Sequence, residues 1–600
     1  MKYFDRTTGF TIADPTINPV KGLTCTKEDV LKSLDGYILS ASGWRAVFAE
    51  SKEDEDDTKK VRIEDLVITE AVTETFIEYL GVPRPRILIG VDARPTGQVL
   101  CDVAVRTLLS LGCDVTHLFF AAAPEIMAYS NAGFDGFFYI SASHNPIGHN
   151  GFKFGVDGGV YNKSIIDKII PMFLEKVNRD DVVSHAIKVI SEADPDIYAE
   201  VLMKHDDDKI RAFDYYRQFV LRIATAHKLF RIPFGIVAEM NGSARSASID
   251  IPYLNKMGAK VWAVNAQPRQ IAHAIVPEGE NLELCRKTLE EIHKKDSDYI
   301  LGYVPDNDGD RGNFVYMKHS EGRADILNAQ EVFALVALID LAHQVMAGDK
   351  RPAIAVNGPT SNIIDEIASR LGAKVFRSDV GEANVVTLAE KLRSEEGYQV
   401  HICGEGSNGG NITHPAKVRD PMNSIMSIAK LYSIDGLYSF ICSKFGIKDS
   451  EHVSIENVIN ALPRFTTTPA FSKDAVMRIK STDFDALKLE YERIFLSEVD
   501  SYLKDGIAQY EVHQIEGIKE QIGLGPEFRN HPSTGGYKVI FSDSDGNFVA
   551  YIWLSKSKTE PVMRVMADVK GDNKALHDRL LSWQRSLVLR ADDAVMAKKQ

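Results

Sequence analysis

Residues 86–120 read RILIGVDARPTGQVLCDVAVRTLLSLGCDVTHLFF, and the order of segments in this stretch predicts the fold. The β-rich run 86–91 leads into a polar turn, a helical stretch follows at 99–112, and residues 114–120 form a second β-rich run. A strand, a helix and another strand in this order predict a βαβ unit with parallel strands and a covering helix.

The same order of segments recurs twice further along the chain. Residues 234–263 and 353–376 each begin with a short apolar β-rich run, continue through a helical stretch and end in a second β-rich run. This repetition predicts three α/β domains of similar build with mixed or parallel sheets. Residues 446–510 are mostly helical in pattern and are interpreted as a helical linker or insertion. The tail 511–600 has short strands followed by one helix, which predicts a smaller α+β domain.

Length and composition limit the class of protein. The 600 residues suggest about four domains at roughly 150 residues each. A net charge of −14 argues against nucleic acid or an acidic membrane as the main partner, because phosphate groups are bound by clustered positive charge. The sequence predicts neither a secretory signal nor a membrane-spanning helix. The six cysteines form no C-x-x-C pair, which indicates a reducing, cytoplasmic compartment. The acidic run 50–57 is expected to be a solvated loop or insertion.

Residues 138–154, FYISASHNPIGHNGFKF, contain a candidate nucleophile. A β-rich run delivers Ser141, Ser143 and His144 onto a turn fixed by Asn145-Pro146. Small residues around a serine at a strand end expose its hydroxyl, which suits a nucleophile or a phosphoacceptor. Taken alone, the motif is better explained as a serine-rich polar turn with a hydrogen-bonded histidine.

Residues 305–312, PDNDGDRG, place Asp306, Asp308 and Asp310 at alternate positions of an extended loop. A spacing of two puts the carboxylates on one side, where a cation must offset their repulsion. Oxygen ligands suit Mg²⁺ or Ca²⁺. An EF-hand is excluded, because Arg311 takes its glycine position and Met317 its final glutamate position. Arg311 favours an anion such as phosphate nearby. The alternative is a solvated acidic turn.

A third segment combines hydroxyl groups with cations. Residues 553–566, WLSKSKTEPVMRVM, have a composition that suits phosphate binding. A solvated basic hairpin is an equally good interpretation of this segment alone. Residues 40–45, SASGWR, supply Arg45 as a weak candidate for facing a phosphate.

The stretch 401–410, HICGEGSNGG, contains the G-x-G-x-x-G pattern of a dinucleotide-binding turn. An NAD-dependent oxidoreductase would need a helix directly after Gly409 and an acidic residue about 20 positions further on. The sequence instead continues as 411–415, NITHP, and the early proline argues against a long helix.

Together and in this order, the motifs resemble those of the α-D-phosphohexomutase superfamily, which includes phosphoglucomutases and phosphomannomutases. The family's T-A-S-H-N-P nucleophile loop is similar to Ser141–Pro146, its D-G-D-G-D-R metal loop to Asp306–Arg311, and its G-E-x-S-G sugar loop to Gly404–Asn408. Its R-P-S-G-T-E-P phosphate loop resembles Ser555–Pro561, and its T-S-G-x-R-G segment resembles Ala41–Ala46.

The resemblance implies a fold and an activity. It implies four domains around a central cleft, each of which supplies one loop. The implied domains are 1–204 with the phosphoserine loop, 205–322 with the metal loop, 323–510 with the sugar loop, and 511–600 with the phosphate loop. The implied reaction interconverts hexose 1-phosphate and hexose 6-phosphate through a phosphoserine enzyme.

The resemblance also implies roles for individual residues. The implied catalytic residues are Ser143, His144, Lys153 and Arg45. Lys153 corresponds to the family's N-G-x-K lysine and would act as general acid/base, with a pKa lowered by Arg45 and Arg311. The implied ligands of Mg²⁺ are Ser143, Asp306, Asp308 and Asp310. Implied sugar contacts are Arg311, Glu405, Ser407, Asn408 and Glu382, the last from a second loop at 380–385. Implied phosphate contacts are Ser555, Lys556, Ser557, Lys558, Thr559 and Arg564.

The resemblance implies a hexose phosphate substrate and a hexose 1,6-bisphosphate activator. The expected assembly is a monomer or dimer. Glucose and mannose phosphates are expected, while glucosamine, N-acetylglucosamine and pentose phosphates remain open. The phosphate loop departs from the family at Ser555, Lys556 and Lys558. That departure supports a catalytically silent phosphosugar-binding protein as the alternative. Retention of the candidate nucleophile, the lysine and the three aspartates argues against it.

Overall fold

The structure is a computed structural model that describes residues 1–448, 452–529, 534–557 and 562–598. The chain divides into two compact units. The first consists of Met1–Leu327 and Pro415–Ala429, and the second of Asn328–His414 and Lys430–Gln600.

The first unit has a mixed sheet built on the stretch 86–120. Its central strand, Arg86–Val91, lies parallel to Asp114–Phe120 on one side and to Gly136–Ile140 on the other. Gly136–Ile140 pairs in turn with the antiparallel strand His149–Val156. The predicted βαβ unit at 86–120 is therefore confirmed. The strands follow each other across the sheet as Ile38–Ser40, Gly43–Val47, His149–Val156, Gly136–Ile140, Arg86–Val91 and Asp114–Phe120, with Gly159–Val160 pairing to His149–Val156.

The second sheet of this unit repeats the arrangement. Gly235–Glu239 lies between two parallel strands, Lys260–Val264 and Tyr299–Pro305. Tyr299–Pro305 then pairs with antiparallel Gly312–Lys318, which is followed by Arg323–Ile326.

The second unit contains the arrangement once more. Ala353–Asn357 is parallel to Lys374–Ser378 and to Ile402–Gly404, and Ile402–Gly404 is antiparallel to Asn411–Thr413. The three mixed sheets share a core of four strands, numbered here in chain order from the central strand. The first strand of this core is central, the second and third lie parallel on either side of it, and the antiparallel fourth strand pairs with the third. The expectation of similar α/β domains with mixed sheets is confirmed.

The C-terminal sheet is antiparallel. Its order is Phe465–Thr467, Met563–Lys570, Phe548–Lys556, Gly536–Ser542, Gln509–Glu516 and Lys519–Ile522, with Val476–Met477 also pairing to Met563–Lys570. Two strands of this sheet come from segment 446–510, which was expected to be a helical linker. The helix Phe484–Glu498 from the same segment packs its Leu487 and Tyr491 into the core of this sheet. The segment therefore belongs to the C-terminal α+β fold.

Helices cover the sheets of both units. In the first unit they are Lys27–Leu34, Ile63–Leu80, Gly97–Ser110, Ala123–Ser130, Lys163–Val177, Val182–Glu192, Pro195–Met203, His205–Ala226, Asp250–Lys256 and Glu283–His293. In the second they are Ala329–Ala347, Ile363–Leu371, Glu382–Ser394, Leu437–Phe445, Ile455–Asn460, Phe484–Glu498 and Lys574–Ala597, while Pro421–Ser433 begins in the first unit and ends in the second. A hairpin of Tyr3–Phe4 and Thr11–Ala13 starts the chain.

The central strands of the three mixed sheets are largely apolar, and all of their residues except Arg86 are buried. Ile87, Leu88 and Ile89 are successive residues of one strand and all are fully buried, as expected for a parallel strand between helical layers. By length and composition, the helix Ala329–Ala347 could cross a membrane, as could the bent pair Pro421–Ser433 and Leu437–Phe445. Most of Ala329–Ala347 is buried within the protein, as in the core helix of a globular domain.

Candidate active site

The predicted motifs occupy the same place in successive sheets. Residues 141–148 connect the third strand to the antiparallel fourth strand in the first sheet, residues 306–311 do so in the second, and residues 405–410 do so in the second unit. Each connection leaves the carboxyl end of a parallel strand, which is the edge where α/β sheets bind ligands.

Ser143 is buried and held in an unusual backbone conformation. Its φ is +53°, in the left-handed region that a non-glycine residue adopts only when its surroundings enforce it. Its hydroxyl donates to Asp306 Oδ2 at 2.8 Å, and its amide donates to Ser141 Oγ at 2.9 Å. The serine oxygen therefore lies in contact with the acidic cluster predicted from the sequence.

Asp306, Asp308 and Asp310 converge in a buried cluster. One oxygen from each lies within 4.8 Å of the others, and all three residues are at most 2% exposed. Asp308 Oδ1 and Asp310 Oδ1 are buried and accept no hydrogen bond from any described residue. Buried carboxylate oxygens without donors need a cation, and a set of oxygen ligands fits a hard divalent ion.

Burial and neighbouring charges shift the pKa values of Asp306 and Asp310 in opposite directions. Burial, followed by the charges of Asp308 and Asp310, raises the pKa of Asp306 well above its usual range. Burial also opposes ionisation of Asp310, but the cations of Arg419 and Lys153 lower the pKa of that carboxyl below its usual value. A divalent ion would remove the repulsion that raises the pKa of Asp306.

Lys153 lies against the same carboxylates. Its ammonium group is 2.6 Å from Asp308 Oδ2 and 3.5 Å from Asp310 Oδ2. Burial and the charge of Arg45 lower the pKa of Lys153, but the two carboxylates outweigh them and the net change is upward. The lowered pKa expected from the sequence is therefore not found, because the charges of Asp308 and Asp310 outweigh burial and the charge of Arg45.

Arg45 reaches the nucleophile loop from the strand Gly43–Val47. Its Nη1 is 3.4 Å from Asn145 Oδ1, and its Nη2 donates to the carbonyl of Ser42 at 2.9 Å. Burial, together with the nearby charge of Arg311, lowers the pKa of Arg45 to about 10. His144 is also buried in the loop.

Arg311 and Arg419 contact aspartates of the metal loop, and only Arg311 was predicted. The backbone amide of Arg311 donates to Asp306 Oδ1 at 3.1 Å. Arg419, from the returning segment Pro415–Ala429, donates to Asp310 Oδ2 at 3.1 Å and is almost fully buried. Sequence reasoning missed Arg419, because nothing in a single sequence pairs it with an aspartate 109 positions away. The charges at 417–420 were the only available signal.

In the second unit, the predicted sugar loop is fixed by contacts to its own sheet. Glu405 Oε1 accepts from the amide of Gly381 at 2.8 Å and from Asn357 Nδ2 at 2.9 Å. Asn357 Nδ2 also lies 3.5 Å from Ser407 Oγ. The structure thus joins the two loops predicted to contact sugar, and Asn357 is a residue that sequence reasoning missed.

Two other predicted sugar contacts lie on these loops. Glu382 begins the helix Glu382–Ser394 and is half-buried. The backbone of Asn408 ends the 3₁₀ turn Gly406–Asn408. A strand, Asn411–Thr413, follows the glycines directly, whereas a dinucleotide-binding turn would lead into a helix.

The predicted phosphate residues lie on one hairpin of the C-terminal sheet. Ser555 Oγ accepts from Trp553 Nε1 at 3.1 Å, and Ser555 is paired with Arg564 on the next strand. The ammonium of Lys556 lies 4.7 Å from the ring centre of Phe484. The amide of Ser557 donates to the carbonyl of Val562 at 2.8 Å, and Arg564 Nη1 donates to the carbonyl of Ala470 at 2.8 Å. Lys558 and Thr559 lie outside the described residues.

Two protein-family models match parts of this chain. The phosphoglucomutase/phosphomannomutase alpha/beta/alpha domain I matches residues 43–180, which include Ser143 and Lys153. The corresponding domain III matches residues 329–439, which include the predicted sugar loop.

Similarity to known proteins extends over most of the chain. It is 27% identical over 505 residues to a phosphoglucomutase/phosphomannomutase of Thermococcus kodakarensis, covering 84% of this chain and 90% of the relative. It is 23% identical over 494 residues to a phosphoglucosamine/phosphogalactosamine mutase of Sulfurisphaera tokodaii, covering 82% and 89%. The fold is similar to a solved structure of a phosphoglucomutase/phosphomannomutase family protein from Burkholderia thailandensis, with a TM-score of 0.59 at 15% identity, covering 93% of this chain and 97% of that one.

Proposed function

We propose, from the premise that this chain belongs to the α-D-phosphohexomutase superfamily, that it interconverts hexose 1-phosphate and hexose 6-phosphate. The named relatives are mutases, and the chain is an isomerase of this superfamily. The observation that carries the proposal is the contact between Ser143 and Asp306, because it puts a candidate phosphoacceptor beside a candidate metal cluster.

In the proposed reaction, Ser143 carries a phosphoryl group and transfers it to the free hydroxyl of a hexose phosphate. The P–O bond to the serine breaks as the bond to the sugar oxygen forms, which gives a hexose 1,6-bisphosphate. After the bisphosphate turns around, the serine takes back the other phosphoryl group. Lys153 gives a proton to the departing serine oxygen and regains one from the sugar hydroxyl.

The proposed cation is Mg²⁺, held by Asp306, Asp308, Asp310 and a phosphoserine oxygen. Oxygen-only ligands and phosphate chemistry favour Mg²⁺ over transition metals. When bound, the ion would neutralise charge on the phosphoryl oxygens. Arg45, Arg311 and His144 are proposed to assist at the same loop, through positive charge and hydrogen bonding.

We propose that Glu405, Ser407, Asn408 and Glu382 contact sugar hydroxyls, and that the 555–564 hairpin holds the phosphate that does not react. Distal phosphate binding would position the reacting end of the substrate. Glucose and mannose phosphates are the first candidate substrates. Glucosamine phosphate is the second, because one of the relatives that covers most of the chain is named a phosphoglucosamine/phosphogalactosamine mutase.

A compartment, an activator and an assembly of the protein are proposed as well. The cytoplasm is the proposed compartment, supported by six cysteines that are all free thiols. A hexose 1,6-bisphosphate is the proposed activator, because it can phosphorylate Ser143. A monomer or dimer is the proposed assembly.

A substrate panel tests the activity. The protein is incubated with Mg²⁺, catalytic glucose 1,6-bisphosphate and, in turn, the 1-phosphates of glucose, mannose and glucosamine, and kcat/KM is compared. We expect turnover of at least one sugar, with loss in Ser143→Ala and no loss in Ser184→Ala, an exposed serine of the same unit. Binding of sugar phosphates without turnover would support the catalytically silent alternative instead.

A further inference from the structure

The nucleophile loop has an unusual backbone that its own sequence does not favour. Ser143 is a non-glycine residue in the left-handed region, and the loop contains the restricting Pro146. The carbonyl groups of Ser143, Asn145 and His149 all point to one buried side chain outside the recognised motifs. That side chain is Arg94.

Arg94 donates hydrogen bonds to four backbone carbonyls in and directly after the nucleophile loop. Its Nη2 donates to the carbonyl of Ser143 at 2.7 Å and to that of Asn145 at 2.5 Å. Its Nη1 donates to the carbonyls of Pro146 and, at 3.3 Å, of His149. Because the guanidinium is planar and carries five donors in a fixed geometry, it can satisfy these acceptors only when they keep their observed relative positions.

Arg94 is itself fixed in place. It is fully buried, and its Nε donates to Asp92 Oδ2 at 3.1 Å. Its backbone amide donates to Asp92 Oδ1 at 2.9 Å, and the amide of Asp92 donates to the carbonyl of Ile140 at 3.0 Å. Asp92 directly follows the central strand Arg86–Val91, and Arg94 comes two residues later.

The second sheet uses the same device at the metal loop. Arg245, which follows the central strand Gly235–Glu239, donates from Nε to the carbonyl of Gly309 at 3.0 Å and pairs with buried Asp250. A buried arginine after the central strand therefore supports the loop after the third strand in both sheets. The recurrence favours a positioning role over a local packing accident.

We propose that Arg94 is the positioning residue that sets the geometry of Ser143 for phosphoryl transfer, an inference that rests on the proposed function. Lysine at this position keeps the charge but replaces the planar fork by one ammonium, which cannot donate to all four carbonyls in the observed arrangement. The serine oxygen then moves relative to Asp306 and Lys153. Substrate binding is unaffected, because the predicted sugar contacts lie on other loops.

The test compares Arg94→Lys with Arg86→Lys. Arg86 begins the same strand and also donates to a loop carbonyl, that of Gly133 at 2.7 Å, but its side chain is largely exposed and its partner is not in the nucleophile loop. We expect kcat to fall about 100-fold in Arg94→Lys with KM changed by less than about threefold, and Arg86→Lys to behave like the natural protein. Intact-mass measurement should show correspondingly slow phosphorylation of Ser143 by glucose 1,6-bisphosphate.

Two further experiments distinguish a positioning role of Arg94 from a folding defect and from failure of the proposed function. If Arg94→Lys does not fold, Asp92→Asn, which loosens the guanidinium without removing it, should lower kcat about tenfold at similar KM. If the natural protein has no mutase activity, crystal structures of the natural and Arg94→Lys proteins decide: Ser143 should leave φ near +53° in the variant. Unchanged kcat, a loss confined to KM, or an unchanged loop in the variant would overturn the inference.

Discussion

At the scale of the residue, the buried cluster of Asp306, Asp308 and Asp310 gives the first prediction, because its repelling carboxylates need a cation. Asp308 contacts Ser141 and Lys153 through one oxygen, while its other oxygen has no donor among the described residues. An isosteric amide removes the charge and keeps the shape.

Asp308→Asn is expected to raise the Mg²⁺ concentration needed for half-maximal activity by at least about 10- to 100-fold, because loss of a direct ligand should cost no less than loss of a residue that only orients one. The measurement is activity against Mg²⁺ concentration, with Asp114→Asn, an exposed aspartate of the same unit, as the control. An unchanged Mg²⁺ dependence would remove Asp308 from the metal site.

A second prediction at the residue scale concerns Gly148, at the end of the nucleophile loop. A Cβ at Gly148 would lie 2.3 Å from the carbonyl oxygen of Glu53, and the amide of Gly148 donates to the carbonyl of Asp54 at 2.8 Å. The acidic run expected to be a solvated loop therefore packs tightly on the nucleophile loop through its backbone.

Gly148→Ala should destabilise the protein by about 1–3 kcal/mol, as overpacking generally does, and should slow phosphorylation of Ser143. Thermal unfolding and intact-mass kinetics measure the two effects. Gly36→Ala is the control, because its Cβ would meet only an ordinary contact at 3.4 Å. Equal behaviour of the two variants would show that the 50–57 segment does not restrain the loop.

Residues with local signals could be predicted from the sequence, and residues that act through the fold could not. Ser143 and Asp306 stand in short motifs whose spacing already suggests their chemistry. Arg94, Asn357 and Arg419 reach the site loops from 48 to 109 positions away, and only the fold brings them there.

At the scale of the element, the connection between the third and fourth strands is the common feature. In each mixed sheet it leaves the carboxyl end of a parallel strand and is supported by a residue at or after the end of the central strand. The supporting residues are Arg94, Arg245 and Asn357. The βαβ pattern predicted the parallel strands, because their apolar runs are continuous.

The strands Phe465–Thr467 and Val476–Met477 escaped prediction for a physical reason. They have three and two residues, too few to show an alternating pattern, and they exist only through pairing with Met563–Lys570, about a hundred positions later. Helical periodicity in the surrounding segment dominated the sequence signal.

Asn357→Ala tests the support of the sugar loop. Loss of the amide removes a donor from Glu405 and should raise KM for the sugar phosphate about tenfold, with a smaller change in kcat. Steady-state kinetics measure both constants, and Asn460→Ala, at an exposed helix end, is the control. A fall in kcat at constant KM would place Asn357 with the chemical step instead.

At the scale of the whole molecule, the buried carboxyl group of Glu70 should contribute to the dependence of stability on pH. Burial, followed by the charge of Glu74, raises the pKa of Glu70 to about 8, although Lys176 and Arg179 oppose the change. His185 faces the same group, with its Nε2 3.9 Å from Glu70 Oε1.

A carboxyl with a raised pKa in the folded state stabilises the protein below the unfolded pKa, near 4.5, and loses that contribution as pH rises to about 8. At pH 8, Glu70→Gln should therefore unfold at a higher temperature than the natural protein. The corresponding gain in the free energy of unfolding is on the order of a few kcal/mol, and this gain should vanish near pH 4.5. Thermal unfolding across this range measures it. Glu78→Gln, an exposed glutamate of the same helix, should show no such trend.

The loops predicted from the sequence are distributed over the two compact units. The first carries the nucleophile and metal loops, and the second carries the predicted sugar and phosphate loops. The central claim, that Ser143 carries the transferred phosphoryl group, belongs to the first unit.

Intact-mass spectrometry with peptide mapping tests that claim most directly. The protein is incubated with glucose 1,6-bisphosphate and Mg²⁺, separated from it, and then given the sugar 1-phosphate that it turns over best. We predict one added phosphoryl group on Ser143 that is lost to the sugar in the second step, and no added group in Ser143→Ala. A fully active protein that never carries phosphate on Ser143, or a phosphoserine that the sugar phosphate does not discharge, would contradict the account.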